Sequence, residues 1–352
     1  MPNKSIETFL HNFDSASDIS IVAEISANHQ GNIKSAFRLI DIAKNSGADA
    51  VKFQTYTADT LSLDSLEKDF LLPENSPWSK YKNYYGLYSK SFTPWQWHKE
   101  LFDYTQNNGM IPFSSPFDES AVDFLESISC SIYKLASPEI NHIPLIQRIA
   151  KTNKPILISL GTASESDLDL AILEFKKISS AKIVIMQCES SYPAQESGAN
   201  LNQLDYLSEK YDTYVGYSDH TVGYKSAAVA AALGAKVIEK HLAVGTSENE
   251  IDGFFSATKE SFPEYCNAIR LTTSILGEKI FRNNGLQPDI LSKQRSIYPT
   301  RDIDKSEVVS LENVKVIRPG LSLEPKYFDS IIGKKTARHL KKGERIKLED
   351  FE

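Results

Sequence analysis

Eight short apolar runs, each followed by a helix-length segment, constrain this 352-residue chain more than any other feature. The runs are Ile21–Ile25, Ala50–Gln54, Met110–Ser114, Ile132–Leu135, Pro155–Ser159, Ile183–Gln187, Tyr214–Tyr217 and Lys236–Glu239. Helical spacing marks Ile33–Ser46, Pro94–Asn108, Glu119–Ser127, Glu165–Ile178, Leu201–Lys210 and the Ala-rich Gly223–Gly234. Three of these segments stop on small residues: Ser46-Gly47-Ala48, Asn108-Gly109 and Leu233-Gly234-Ala235. A helical crossover makes the two strands it joins parallel. Eight such units in a row predict a (β/α)8 TIM barrel. A doubly wound open sheet is the alternative, and no glycine-rich GxGxxG opens a helix to favour a dinucleotide fold.

Two stretches break the rhythm. Residues 55–93 carry Asp59, Asp64, Asp69, Trp78 and five tyrosines between the second strand and the next helix. A loop of this length at a strand exit is either functional or a decorated rim packed on the barrel. After a last barrel helix at Lys259–Gly277, the turn residues Asn283–Pro288 read as a linker. The expected division is a barrel over 1–280, a linker over 281–294 and a compact β-rich module over 295–352. The module has short apolar pieces at Ser296–Tyr298 and Val314–Ile317 and a Lys-Lys-Gly-Glu turn at 341–344. About 60 residues are marginal alone, so this module should pack on something.

Bulk properties exclude several classes. A net charge of −7 without a concentrated basic face argues against nucleic acid as a partner. Any anionic substrate must then be caught by a local basic pocket. Cys130, Cys188 and Cys266 are far apart and odd in number, which suits buried thiols in a reducing cytoplasm. No signal peptide and no membrane span are read in the chain.

Catalytic groups of a barrel sit where its strands exit, and here nearly every strand exits on polar residues. Two strand tips carry Ser218-Asp219-His220 and Glu239-Lys240-His241, and parallel pairing sets them side by side. Paired imidazoles, each beside a carboxylate that could orient its ring, suit a metal ion; either His alone would read as a half-buried structural residue. Open positions filled by oxygen favour Mn2+ or Mg2+, and the imidazoles argue against Mg2+. Lys52 and Lys134 interrupt apolar strands. Near Ser115, Ser137, Ser159 and Ser218 they suit a phosphate-bearing anion; the alternative is that each pairs with Glu24 or Glu239. Glu24 lies within Ile-Val-Ala-x-Ile, half-desolvated, and can serve as a general acid or base or as a salt-bridge partner. Together these support carbonyl addition or enolate chemistry.

Longer strings carry a resemblance. AEISANHQGN (23–32), GADAVKFQTYTADTLSLD (47–64), FSSPFD (113–118), YKLASPEIN (133–141), YPA (192–194), GYSDHTVG (216–223) and VIEKHL (237–242) resemble the sialic acid synthase family. TPWQWH (93–98) and FSSPFDESAVDFLE (113–126) bring the likeness nearest to its pseudaminic acid branch. VIRPG (316–320), GKK (333–335) and LKKGERIKLEDF (340–351) are similar to the antifreeze-like (SAF) domain of that family. The resemblance implies condensation of phosphoenolpyruvate with an open-chain N-acetylated amino sugar, 2,4-diacetamido-2,4,6-trideoxy-altrose in this branch, with release of phosphate. It implies that His220 and His241 hold a divalent metal, Mn2+ first, then Mg2+ or Co2+. It implies that Lys52, Ser115, Lys134, Ser137, Ser159, Ser190 and Ser218 grip phosphoenolpyruvate, and that Glu24 manages the water or proton at its carbon. Gln54, Glu139, Tyr192 and Asp252 match the sugar side. Arg318 matches an arginine that reaches the partner subunit's site in a domain-swapped homodimer.

The chain departs from the family pattern at four places. Leu160-Gly161 replaces Thr-Gly, Ser190 stands where sialic acid synthases have Asn, Pro138 sits within Ser-Pro-Glu, and GTSENEIDGFF (245–255) lacks the usual Gly-Pro-Asp or Gly-Gly-Asp run before Asp252. The rival readings are an N-acetylneuraminate or legionaminate synthase, a metal-dependent sugar epimerase or aldolase that needs no phosphoenolpyruvate, and a non-catalytic carbohydrate binder.

Overall fold

A computed structural model describes Phe9 and residues 18–245, 250–277, 280–281 and 288–352. The rest of the N-terminal arm and residues 282–287 of the expected linker lie outside the described residues. The chain divides into two compact units, Met1–Gly277 and Glu278–Glu352.

The first unit is a closed barrel of eight parallel strands. They are β1 (Ser20–Glu24), β2 (Ala50–Thr55), β3 (Ile111–Pro116), β4 (Tyr133–Leu135), β5 (Ile156–Ser159), β6 (Ile183–Cys188), β7 (Tyr214–Asp219) and β8 (Val237–His241). β8 returns to pair with β1, with His241 opposite Glu24, so the open-sheet alternative fails. Helices cover the barrel: α1 (Ile33–Ser46), α2 (Tyr84–Ser91), α3 (Trp95–Asn107), α4 (Glu119–Ser127), α5 (Ile143–Ala150), α6 (Glu165–Lys176), α7 (Gln203–Tyr211), α8 (Lys225–Ala232) and α9 (Phe262–Leu276). Their ends follow local chemistry. Asn32 caps α1 by accepting from Lys34 N, and Gly47 closes it in the left-handed region at φ 90°. Asp118 accepts from two amides at the start of α4, and Ser164 with Asp167 forms a capping box on α6. α5 has no counterpart in the sequence reading; His142 caps it by accepting from Leu145 N.

Alternation along the strands decides what each residue faces. Phe53 of β2 points out and stacks on Phe102 of α3 at 5.5 Å, while its neighbours Lys52 and Gln54 line the barrel mouth. Ile21, Val51, Phe113, Leu157 and Ile185 are fully buried in one contiguous core.

The 55–93 segment is more structured than a loop. It holds a helical turn at Ala58–Leu61, two 3-10 turns at Lys68–Phe70 and Ser79–Tyr81, and α2. Leu72 and Leu87 bury themselves within it. The second unit pairs β9 (Ser296–Pro299) antiparallel with β10 (Val314–Ile317). Its core is Ile297, Ile303, Val309, Val314, Leu323, Ile331, Leu340, Ile346 and Phe351. No helix among the described residues is long and apolar enough to cross a membrane.

Candidate active site

A cavity of about 400 Å³ opens at the strand exits. Its floor is a buried charge cluster. Lys52 Nζ lies 2.5 Å from Glu24 Oε2 and 3.6 Å from Glu239 Oε1, and donates to Ser115 Oγ at 3.3 Å. Lys134 Nζ is 4.0 Å from the same Glu239 oxygen, and Ser218 donates to it at 3.3 Å. Both lysines therefore take the carboxylate partners of the alternative reading, yet both still line the cavity. Gln54 Nε2 donates to Glu24 Oε1 at 3.2 Å.

The charges are unevenly held. Burial pushes the Glu24 carboxyl up to about 7 against the pull of Lys52. Burial would lower Lys52, but Glu239 and Glu24 outweigh it and hold its ammonium above the ordinary value. Burial lowers Lys134, with Glu239 offsetting part of the effect. Burial alone would raise Glu239, yet Lys134 and Lys52 keep it below its usual value. Lys134 is thus the cation with most to gain from an incoming anion.

Hydroxyls rim this floor. Ser137 Oγ and Ser190 Oγ lie 3.1 Å apart, and Thr162 ties the pair down through its amide to Ser137 Oγ (3.2 Å) and its hydroxyl to Ser137 O (2.7 Å). A Cβ at Gly161 would fall 2.0 Å from Ser190 Oγ, so this close approach needs glycine. Thr162 was not singled out in the sequence; it puts a hydroxyl beside the position where Leu160 lacks one. Ser159 Oγ is buried with no hydrogen-bond partner.

The two imidazoles meet across β7 and β8, with ring centroids 5.3 Å apart. The carboxylates beside them in sequence do not orient the rings. Asp219 is one residue from His220 and so faces the helix layer, where it accepts from Lys240 and Tyr265. His220 Nδ1 donates instead to the Glu189 carbonyl at 2.8 Å, which leaves its Nε2 lone pair free. His241 Nδ1 is buried with no hydrogen-bond partner. Burial lowers His220 to about 4 and His241 well below its ordinary value, so both are neutral, the ligating form, near pH 7. Two neutral imidazoles with an orphaned nitrogen fit a divalent ion whose other positions go to water or substrate oxygen. No group of three or more His, Cys, Asp or Glu among the described residues could hold a metal without such help.

On the remaining wall, Glu139 Oε2 is buried without a partner and burial raises the carboxyl to about 8. Tyr192 packs on His220 at 4.4 Å. Asp252 hydrogen-bonds Ser26, and its amide donates to Asn28 Oδ1. Residues 246–249 of the 245–255 stretch lie outside the described residues. Arg318 is exposed on the second unit.

The 55–93 segment, read from the sequence as either functional or a decorated rim, supplies the roof of the cavity. Trp78 donates Nε1–H to Ile251 O at 3.0 Å and packs on Tyr192 and Phe254, both at 5.8 Å. Leu72, Tyr84, Leu87, Tyr88 and Phe117 line the cavity too. The aromatic load of 55–93 was the available signal.

Comparison with known proteins gives a consistent picture. The NeuB family matches residues 39–281 and the SAF domain matches 294–352. A pseudaminic acid synthase of Campylobacter jejuni is 38% identical over 97% of this chain and 99% of its own. An N,N'-diacetyllegionaminic acid synthase of Legionella pneumophila is 33% identical over 94% of each. The crystal structure of an N-acetylneuraminic acid synthetase from Leptospira borgpetersenii in complex with citrate superposes with a TM-score of 0.68 at 29% identity, covering 77% of this chain and 89% of that one.

Proposed function

The chain belongs to the NeuB family, and from that premise we propose that it is a pseudaminic acid synthase. It joins phosphoenolpyruvate to the open-chain aldehyde of 2,4-diacetamido-2,4,6-trideoxy-altrose and releases a nonulosonic acid and phosphate. One observation carries the reading: two buried lysines and two neutral imidazoles open on a single cavity.

Lys52 and Lys134 hold the anionic groups of phosphoenolpyruvate, with hydroxyls of Ser115, Ser137, Ser159, Ser190 and Ser218 around them. The enol C3 bonds to the aldehyde carbon, water adds at C2, and the C2–O bond to phosphate breaks. Glu24, poised near neutrality at about 7, takes the proton of that water, and Lys52 at 2.5 Å stabilises the carboxylate before transfer. His220 and His241 would hold a divalent ion, Mn2+ by preference with Mg2+ or Co2+ as substitutes, whose chemistry is Lewis-acid polarisation of the aldehyde oxygen. Gln54, Glu139, Tyr192 and Asp252 orient the acceptor. Holding enol and aldehyde together contributes the rest.

The reading extends to assembly. Arg318, within the segment that matches the SAF domain, reaches the cavity of a second copy in a domain-swapped homodimer on this reading. The three free, buried cysteines suit the cytoplasm. Phosphate release from phosphoenolpyruvate, assayed with a panel of diacetamido and monoacetamido hexoses, tests the function. Turnover with the diacetamido 6-deoxy hexose is expected. Turnover with a monoacetamido hexose alone would move the chain to the sialic acid branch. Silence with every acceptor would end the reading.

A further inference from the structure

Ser26 lies just past the end of β1, and its backbone is in the left-handed region at φ 48°. A side chain is disfavoured there, whereas glycine takes the conformation freely. Every other non-glycine residue with a positive φ among the described residues is exposed. Ser26 is buried and lines the cavity. Backbone strain of this kind persists where the surrounding structure has a use for it.

What serine adds over glycine is a hydroxyl, and this one holds two partners. It donates to Asp252 Oδ2 and accepts from Gln54 Nε2 at 3.2 Å. Gln54 Nε2 also donates to Glu24 Oε1 at 3.2 Å. Strands β8, β1 and β2 are neighbours in the barrel, and Ser26 follows the middle one. Its hydroxyl therefore ties a carboxyl from the loop after β8 to an amide from β2, and through that amide it reaches Glu24. Gln54 and Asp252 both line the cavity.

The backbone of the loop that carries Asp252 is held by other means. The Asp252 amide donates to Asn28 Oδ1 at 3.1 Å, and Asn28 Nδ2 donates to Leu242 O and Ser256 Oγ, each at 3.0 Å. Losing the Ser26 hydroxyl thus frees the Asp252 carboxyl without releasing its loop. Burial raises that carboxyl, and the Ser26 hydroxyl and the Ala27 amide pull it back. The hydroxyl both aims the group and favours its ionised form.

We propose that Ser26 is a positioning residue for the acceptor, whose hydroxyl fixes Gln54 and Asp252 side by side as one hydrogen-bonding surface joined to Glu24. This rests on the condensation reading above and adds the group that sets the geometry of its acceptor side.

The test measures phosphate release from phosphoenolpyruvate with whichever acetamido hexose the wild type turns over best, alongside thermal denaturation. Ser26→Gly deletes the hydroxyl and relaxes the backbone. Its acceptor KM should rise about tenfold, as for one lost hydrogen bond to a charged group, while the KM for phosphoenolpyruvate and the Tm hold. Ser26→Ala loses the same hydroxyl but keeps a side chain in the left-handed region. It should match that acceptor KM at a lower Tm than Ser26→Gly. A wild-type acceptor KM in Ser26→Gly would overturn the assignment. Equal rises in both KM values would also overturn it, since they would mark a general disturbance of the mouth. A wild-type enzyme silent with every acceptor would instead end the condensation reading on which the inference rests.

Discussion

Two buried lysine–carboxylate clusters meet the barrel wall from opposite sides at the neighbouring residues Glu239 and Lys240 of β8, and they are completed differently. The outward one joins Asp219, Lys240, Thr221, Ser226 and Tyr265 against the helices. Every polar side-chain atom of Asp219 and Lys240 has a partner; of the neighbouring groups only the Tyr217 hydroxyl lacks one. The inward one joins Glu24, Lys52, Lys134 and Glu239, and around it Glu239 Oε2, Ser159 Oγ, His241 Nδ1 and Glu139 Oε2 stand without partners. Buried polar atoms are almost always satisfied. A cluster that completes itself holds the fold together, whereas one that leaves lone pairs facing a cavity is completed by a ligand.

The largest test of that contrast uses the imidazoles. His241→Ala should abolish turnover and also abolish binding of Mn2+ measured directly by titration calorimetry. Tyr265→Phe, on the outward side, should leave both in place and lower stability by about 1–3 kcal/mol through an Asp219 oxygen left short of a donor. Metal binding retained by His241→Ala would break the assignment.

Next come the lysines. Lys52→Ala should cut kcat/KM for phosphoenolpyruvate by the equivalent of roughly 3 kcal/mol or more, since a buried charge partner is lost. Lys240→Met should instead destabilise the protein by about 3–5 kcal/mol, because Asp219 is stranded, with folded enzyme turning over normally. If both variants failed in the same way, the two clusters would not differ in kind.

A smaller effect is set by pH. Burial raises Glu139 from 4.5 to about 8, so between these values the unfolded chain sheds this proton and the folded one keeps it. Stability contributed by the protonated carboxyl is complete below about pH 4.5 and lost as pH rises through 8. Wild-type Tm should therefore fall between pH 5 and pH 8.5, and Glu139→Gln should fall less. An identical Tm profile for both proteins would remove Glu139 from the set of strained, ligand-awaiting groups.

Much of the inward cluster was legible because a strand has a period of two. A lysine inside Ala-Val-x-Phe and a glutamate inside Ile-Val-Ala-x-Ile can only sit at a strand exit or cost heavily. The order of the barrel was legible for the same reason. Which of two adjacent residues faces in was harder, and that is why Asp219 looked like the orienting group for His220 when the Glu189 carbonyl, thirty-one positions away, does the work. α5 escaped because the Ser137–Glu139 turn and Pro144 leave only a short apolar stretch, Ile143–Ala150, with little room for a period to show. The 55–93 segment is legible as a rim or a functional loop from its length and its aromatic residues, but Leu72 and Leu87 go unmarked, because isolated turns and one eight-residue helix are too short for a period to point to a face.

That roof allows the finest test of floor against lid. Trp78 is fastened to the loop after β8 by one hydrogen bond to Ile251 O and by packing on Phe254. Trp78→Phe keeps most of the packing and deletes the bond, a change worth about 1 kcal/mol. If the floor alone binds phosphoenolpyruvate and the lid only confines the acceptor, the acceptor KM should rise by about fivefold while the KM for phosphoenolpyruvate holds. A rise in both would mean that the lid also orders the floor, and the mouth would then act as one cooperative unit with no division between an anion half and a sugar half.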